Sequence, residues 1–212
     1  EIPVIPQSGP YVVKDSYTLN DLAGGNGDGL MDYGESILLS LAVKNVGIAL
    51  ATNVVVTLST TDPYITFTDN THSYGNIGPD EVIMATDAFA FDVANDIPNG
   101  HYVLINVEAN GGSDDTWTSN LTIGGHAPVL ELGEVTISDP AGNNNGKIDP
   151  GETVNLVITA ENTGSSETFN LVGEISEMDP FLTINTAQVN YGNILGGGNA
   201  SGIFSVTAAA NT

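Results

Sequence analysis

The chain carries twice, in one register, a run of side-chain oxygens spaced for a hard divalent cation. Asn26, Asp28, Asp32 and Glu35 recur as Asn143, Asn145, Asp149 and Glu152, each 117 positions on. Calcium takes six to eight oxygen ligands, and a twelve-residue calcium loop supplies them from alternating side chains, a glycine at position 6, a backbone carbonyl at position 7 and a closing glutamate at position 12. With Glu35 at position 12, Asn26 falls at 3, Asp28 at 5, Gly29 at 6, the Leu30 carbonyl at 7 and Asp32 at 9. The second copy offers Asn143, Asn145, Gly146, the Lys147 carbonyl, Asp149 and Glu152 in the same places. Position 1 departs from the scheme, because Gly24 and Ala141 stand there. The nearest upstream acids, Asp21 and Asp139, end the preceding strand and could curl back to serve there. The competing reading is a turn-rich connection built from Asn, Asp and Gly. Drift from Asp28 to Asn145 exchanges one oxygen donor for another while glycine and glutamate stay, which a bare turn would not require. Ca²⁺ is therefore the expected cofactor.

The elements that must hold these loops are strands. Ile37, Leu39, Leu41 and Val43 alternate with Ser36, Leu38, Ser40, Ala42 and Lys44, and Val154, Leu156, Ile158 and Ala160 repeat that face in the second copy. Period two over such a run predicts a strand with one buried side. Similar runs follow at 52–59 and 169–176, then at 65–68, 83–93, 102–109 and 117–123, and no stretch carries a helical period. Turn sequences separate them (Asn-Val-Gly, Thr-Asp-Pro, Ile-Pro-Asn-Gly, Asn-Gly-Gly). The expectation is all-β: two tandem immunoglobulin-like β-sandwich domains of seven or eight short strands each.

The duplication reaches well beyond the loops. Asn45 and Gly47 match Asn162 and Gly164, Asp62-Pro63 matches Asp179-Pro180, and Tyr74-Gly75-Asn76-Ile77 matches Tyr191-Gly192-Asn193-Ile194. Further on, two residues are lost, so that Phe89 and Phe91 fall opposite Phe204 and Val206. The second copy has no counterpart of 98–123, so its sandwich is expected to lack about two strands at the C-terminus, as a fragment of a longer protein would. The expected divisions are an extended Pro-containing leading segment at 1–10, a first repeat at 11–124, a short linker at 125–128 and a truncated second repeat at 129–212.

Composition narrows function by exclusion. Three Lys and Arg residues face 26 Asp and Glu, for a net charge of −23. Nucleic acid and anionic membranes are bound through Lys and Arg, so neither is an expected partner. No window approaches the roughly 18 apolar residues of a membrane span, and Glu1 reads as the start of a trimmed or mature fragment. There is no cysteine, so a secreted form must be held by its cores and by metal. His72, His101 and His126 are scattered and offer no zinc spacing. No nucleophile elbow or phosphate loop occurs, the Asp-Pro pairs read as turns opening the next strand, and carboxylate pairs arise by chance on so acidic a surface. Trp117 and the tyrosines are spread too evenly for a carbohydrate platform. Enzymatic activity is not expected.

The pattern Asn-x-Asn/Asp-Gly-x-x-Asp-x-Gly-Glu, an alternating strand ending Asn-x-Gly, then Asp-Pro-Tyr/Phe and Tyr-Gly-Asn-Ile, resembles immunoglobulin-like repeats of large secreted Bacteroidetes proteins. These include gingipain-like cysteine peptidases and type IX secretion cargo. The resemblance spans 11–212 and implies non-catalytic modules, secreted or displayed at the cell surface. It also implies that their partners are neighbouring domains of a longer chain and a protein or glycan ligand. A calcium-stabilised spacer or adhesion module is the resulting expectation, and an accessory substrate-binding domain of a secreted hydrolase is the alternative.

Overall fold

The computed structural model describes residues 8–112 and 114–210. Of the expected leading segment, positions 1–7 lie outside the described residues. The described residues hold strands and turns and no helix. The chain divides into two compact units, Glu1–His126 and Ala127–Thr212.

Unit 1 contains β1 (Val12–Asn20), β2 (Met31–Asp32), β3 (Ser36–Asn45), β4 (Ala51–Ser59), β5 (Ile65–Asp69), β6 (Thr71–Ile77), β7 (Val82–Val93), β8 (Tyr102–Asn110) and β9 (Thr116–His126). One sheet runs β1-β3-β7-β5 and the other β2-β9-β8-β4-β6. All neighbours are antiparallel except β2 and β9. Ile37, Leu39, Leu41 and Val43 of β3 are all buried, as are Val54, Val56 and Leu58 of β4 and Phe89, Phe91 and Val93 of β7. Both sheets turn these alternate residues into one shared core. Each such side chain contributes about 1.5–3 kcal/mol on leaving water, which is why strand alternation and core position agree so closely here.

Unit 2 contains β10 (Leu130–Ser138), β11 (Thr153–Asn162), β12 (Leu171–Glu174), β13 (Leu182–Ile184), β14 (Gln188–Gly192) and β15 (Asn199–Ala208). Its sheets run β10-β11-β15-β13 and β12-β14. These are the counterparts of β1, β3, β4, β5, β6 and β7, and the register repeats: Leu39 faces Phe89 and Leu156 faces Phe204. The two-residue difference is a bulge. In unit 1 the pairing jumps from Leu39–Phe89 to Leu41–Ala85, and Asp87 sits there at φ 49°. Its N–H donates to Ser40 Oγ at 2.8 Å, and its carboxylate accepts from Asn20 Nδ2 at 2.9 Å. Unit 2 has Val157 in place of Ser40, and β11 pairs with β15 without interruption. Among the described residues of unit 2, nothing corresponds to β2, β8 or β9.

Gly125 and His126, which the sequence suggests as the start of a linker, continue β9 and pair with Met31 and Asp32. Tyr33 N–H donates to the His126 carbonyl at 2.9 Å.

The repeated Tyr-Gly-Asn-Ile sequence ties the sheets together. Tyr74 of β6 donates its hydroxyl to the Leu41 carbonyl of β3 at 2.8 Å, and Tyr191 of β14 donates to the Ile158 carbonyl of β11 at 3.0 Å. Burial pushes both hydroxyls above the ordinary phenol range. A raised folded-state pKa means that the native state keeps its proton while the unfolded chain loses it above about pH 10. Stability from Tyr74 is therefore complete below that pH and falls as pH rises through it, by at most about 1.4 kcal/mol per pH unit. Tyr74→Phe is expected to flatten that alkaline slope and, by leaving the Leu41 carbonyl without its donor, to cost about 1–2 kcal/mol at neutral pH. Urea unfolding between pH 7 and 11 measures both; an unchanged alkaline slope would show that Tyr74 is not its source.

Candidate metal centre

Each candidate loop bridges the first two long strands of its unit. β1 runs directly into Asp21, which is 2% exposed, and β10 into Asp139, which is 1% exposed. Both carboxylates turn onto the loop. Asp21 Oδ2 accepts the N–H groups of Gly27 (2.8 Å) and Asp28 (3.1 Å), and its Oδ1 accepts that of Gly29 (3.1 Å). Asp139 Oδ2 accepts Asn145 N–H at 2.9 Å and its Oδ1 accepts Gly146 N–H at 3.2 Å. At the other end, Glu35 Oε1 accepts Asn26 N–H (2.9 Å) and Oε2 accepts Asp32 N–H (3.1 Å). Glu152 repeats this with Asn143 (3.1 Å) and Asp149 (3.3 Å). Two acidic residues thus clamp each loop from below, one before it and one at its end.

Between the clamps, three side chains converge. Asn26 Nδ2 donates to Asp32 Oδ2 at 2.7 Å and to Asp28 Oδ2 at 3.4 Å. In the second loop Asn143 Nδ2 and Asn145 Nδ2 donate to Asp149 Oδ2 at 2.6 and 2.8 Å. Successive Asx turns space these side chains: Asn26 Oδ1 accepts Asp28 N–H and Asp28 Oδ1 accepts Leu30 N–H, matched by Asn143 with Asn145 and Asn145 with Lys147. Gly29 and Gly146 adopt φ of 78° and 72° at the sharp turn between them, where an L side chain would be strained. The side chains of positions 3, 5 and 9 therefore meet, those of Asp21 and Glu35 lie at the loop base, and Leu30 and Lys147 contribute only backbone.

The donor set suits a hard cation. Every candidate ligand is a carboxylate, amide or carbonyl oxygen, the chemistry of Ca²⁺ or Mg²⁺ and not of a thiolate-binding metal. Among the described residues, no three His, Cys, Asp or Glu side chains gather as a metal-holding group. What gathers in each loop is a mixture of carboxylate and amide, in which an Asn NH₂ supplies the positive pole. The Oδ1 atoms of Asn26, Asn143 and Asn145 each accept one loop N–H and keep a second lone pair for a cation. Burial raises the Glu35 carboxyl above its ordinary range, the Asn26 and Asp32 N–H groups pull it down, and the charges of Asp32 and Asp21 push it up again. A buried group of like charges held by backbone donors is one that a divalent cation would neutralise.

The loops differ in support. Met31 and Asp32 are 0% and 1% exposed beneath β9, whereas Ile148 is 38% exposed and forms no strand. Two positions that the ligand spacing does not reveal are Gly25 and Gly142. A Cβ on either would collide with the Glu35 or Glu152 carboxylate. Their recurrence one place before the first loop Asn was the available signal. Elsewhere, Asp62 and Asp179 accept the N–H groups of Tyr64 and Phe181, the turns that their Asp-Pro sequences suggest. Asp62 also meets His101 Nε2 at 2.7 Å.

No family model and no curated protein matches the chain. Among solved structures, the secreted serine protease VesC from Vibrio cholerae is similar over 97% of this chain and 48% of its own, at 12% identity and a TM-score of 0.32. The chain thus spans about half the length of that structure, and a likeness of this degree carries no functional argument.

Proposed function

We propose that this chain is a non-catalytic pair of calcium-stabilised, immunoglobulin-like β-sandwich modules, acting as a spacer or adhesion segment of a secreted or cell-surface bacterial protein. The observation that carries the reading is the repetition of one hydrogen-bond scheme in both loops. Asp21 and Glu35 hold the first loop as Asp139 and Glu152 hold the second, although the strands around them differ. The neighbours β1-β3-β7 and β9-β8-β4 follow the A-B-E and G-F-C arrangement of immunoglobulin sandwiches. The departure is that β5 joins the first sheet before β6 joins the second. In unit 1, Asp21, Asn26, Asp28, the Leu30 carbonyl, Asp32 and Glu35 would hold the ion. In unit 2, Asp139, Asn143, Asn145, the Lys147 carbonyl, Asp149 and Glu152 would do so. Bound calcium would neutralise carboxylates of which Asp21, Asp32, Glu35 and Asp139 are buried.

A ligand that binds the native loops and not the unfolded chain stabilises by RT ln(1 + [L]/Kd), about 2.7 kcal/mol at a hundredfold excess over Kd. Chelation is therefore expected to lower the melting temperature, and identical melting curves in calcium and in chelator would sink the proposal. Glu35→Gln and Glu152→Gln should each remove one site in calorimetric titration. Loop 1 has one more carboxylate, Asp28 against Asn145, and is pinned to β9, so it is expected to bind more tightly; the reverse order would refute that ranking.

A further inference from the structure

The same face of the fold is covered in unit 1 and, among the described residues, uncovered in unit 2. In unit 1 the β8–β9 hairpin fills the space between β4 and β1. β8 pairs antiparallel with β4 from Val55–Asn110 to Ser59–Asn106, and its inward residues Val103, Ile105, Val107 and Ala109 are buried. β9 reaches β1: Tyr17 donates its hydroxyl to the Thr122 carbonyl at 2.9 Å, and Lys14 N–H donates to Ser119 Oγ at 3.0 Å. In unit 2, β12 pairs with β14 on one side, and among the described residues no strand lies on the other. Leu130 is 47% exposed where its counterpart Val12 is 1% exposed. Ile158 and Ile175 are partly exposed where Leu41 and Leu58 are fully buried. With Leu132, Tyr191 and Phe204 they line an apolar hollow of about 310 Å³.

We propose that this face of unit 2 is a docking site for a β-hairpin of the chemistry of Tyr102–His126. Such a hairpin has two antiparallel strands, the first apolar at alternate positions, and adds to the free edge of β12 along 172–176. The occupant is read from the chain itself. The 117-residue offset carries Val55–Ser59 onto Val172–Ser176, and in unit 1 the β8–β9 hairpin closes that edge and the apolar face beneath it. Strand addition satisfies the edge amides and carbonyls while alternate side chains fill the hollow. A second copy of the chain brings its own net charge of −23 to the same surface, which opposes its approach.

The test adds a synthetic peptide of sequence Ala94–His126 to the full chain and follows amide hydrogen exchange. Expected is a saturable slowing of at least tenfold for amides 172–176, with unit 1 unchanged. Leu132→Glu, at a side chain 74% exposed, should raise the half-saturating peptide concentration at least tenfold. Isolated hairpins are marginal in water, so the same sequence is also joined directly after Ala208, which occupies the place of Val93. Protection of 172–176 in either format carries the proposal. Unchanged exchange in both overturns it. So does protection already present without peptide in a chain that sediments as a dimer, since a second copy would then be the occupant.

Discussion

Asn45→Ala is expected to lower the unfolding free energy of unit 1 by about 3–5 kcal/mol, a large share of the 5–15 kcal/mol of a typical domain. Asn45 is 0% exposed. Its Oδ1 accepts the N–H groups of Tyr11 and Gly47, both at 3.0 Å. Its Nδ2 donates to the carbonyls of Ala49 at 2.8 Å and Ile77 at 3.0 Å. One amide thus joins the start of β1, the β3–β4 turn and the end of β6. Alanine leaves four inner backbone groups without partners, each costing about 1–3 kcal/mol before water relieves part of the loss. Asn45→Asp is a sharper probe, because a carboxylate can accept from the two N–H groups but has nothing to donate to the two carbonyls. It should be at least as damaging. Asn162 repeats the arrangement with Val129, Gly164, Ser166 and Ile194, and its alanine variant should destabilise unit 2. Chemical denaturation reads each effect; a loss below about 1 kcal/mol, or an aspartate variant as stable as the native protein, would overturn the assignment.

Much of this anchor was visible in the sequence, but not its purpose. The Asn-x-Gly pair at 45–47 and 162–164 marks the duplication, yet two of the four partners of each asparagine, Tyr11 and Ile77 or Val129 and Ile194, lie more than 30 residues away. Tyr-Gly-Asn-Ile is similar. Gly75 and Gly192 take φ of 72° and 73°, and Asn76 and Asn193 accept the N–H of Asn53 and Asn170, which themselves sit at φ 50°. A period-two reading passes over such a bulged strand, because its chemistry lies in backbone angles and cross-strand donors. In β3, by contrast, the alternating Ile37, Leu39, Leu41 and Val43 are all buried, with Ser40 and Ala42 between them buried too, whereas in β11 only Val154 of the matching face is buried.

The candidate loops were legible from Asn26 to Glu35 because their ligands are local, spaced two to four residues apart. Asp21 and Asp139 could be named only as the nearest upstream acids, because Asp21 stands five residues before Asn26 and Asp139 four before Asn143, so no single spacing marks them. In the structure both carboxylates fold onto the loop N–H groups. The two-residue strand β2 could not be read either, since its partner is β9, more than 90 positions downstream. Its absence from unit 2 follows from the absence of that partner among the described residues.

Leu39→Ala and Leu156→Ala make one chemical change at one register position, and they are expected to differ in cost by about 2 kcal/mol. Leu39 is 0% exposed and enclosed by both sheets of unit 1. Its truncation removes buried methyl groups and leaves a closed cavity, for about 3–4 kcal/mol. Leu156 faces Phe204 as Leu39 faces Phe89, but it is only partly buried, on the strand that borders the open face of unit 2. Truncation there forfeits less transfer free energy, and water can enter the gap, so about 1–2 kcal/mol is expected. Urea unfolding of the two variants, with the m-value of each unit as a check on exposed surface, measures the difference. Equal costs would mean that unit 2 closes its face in solution without any added strand. If the hairpin sequence joined after Ala208 does occupy that face, Leu156→Ala in the extended chain should become as costly as Leu39→Ala, because the same side chain would then be enclosed on all sides.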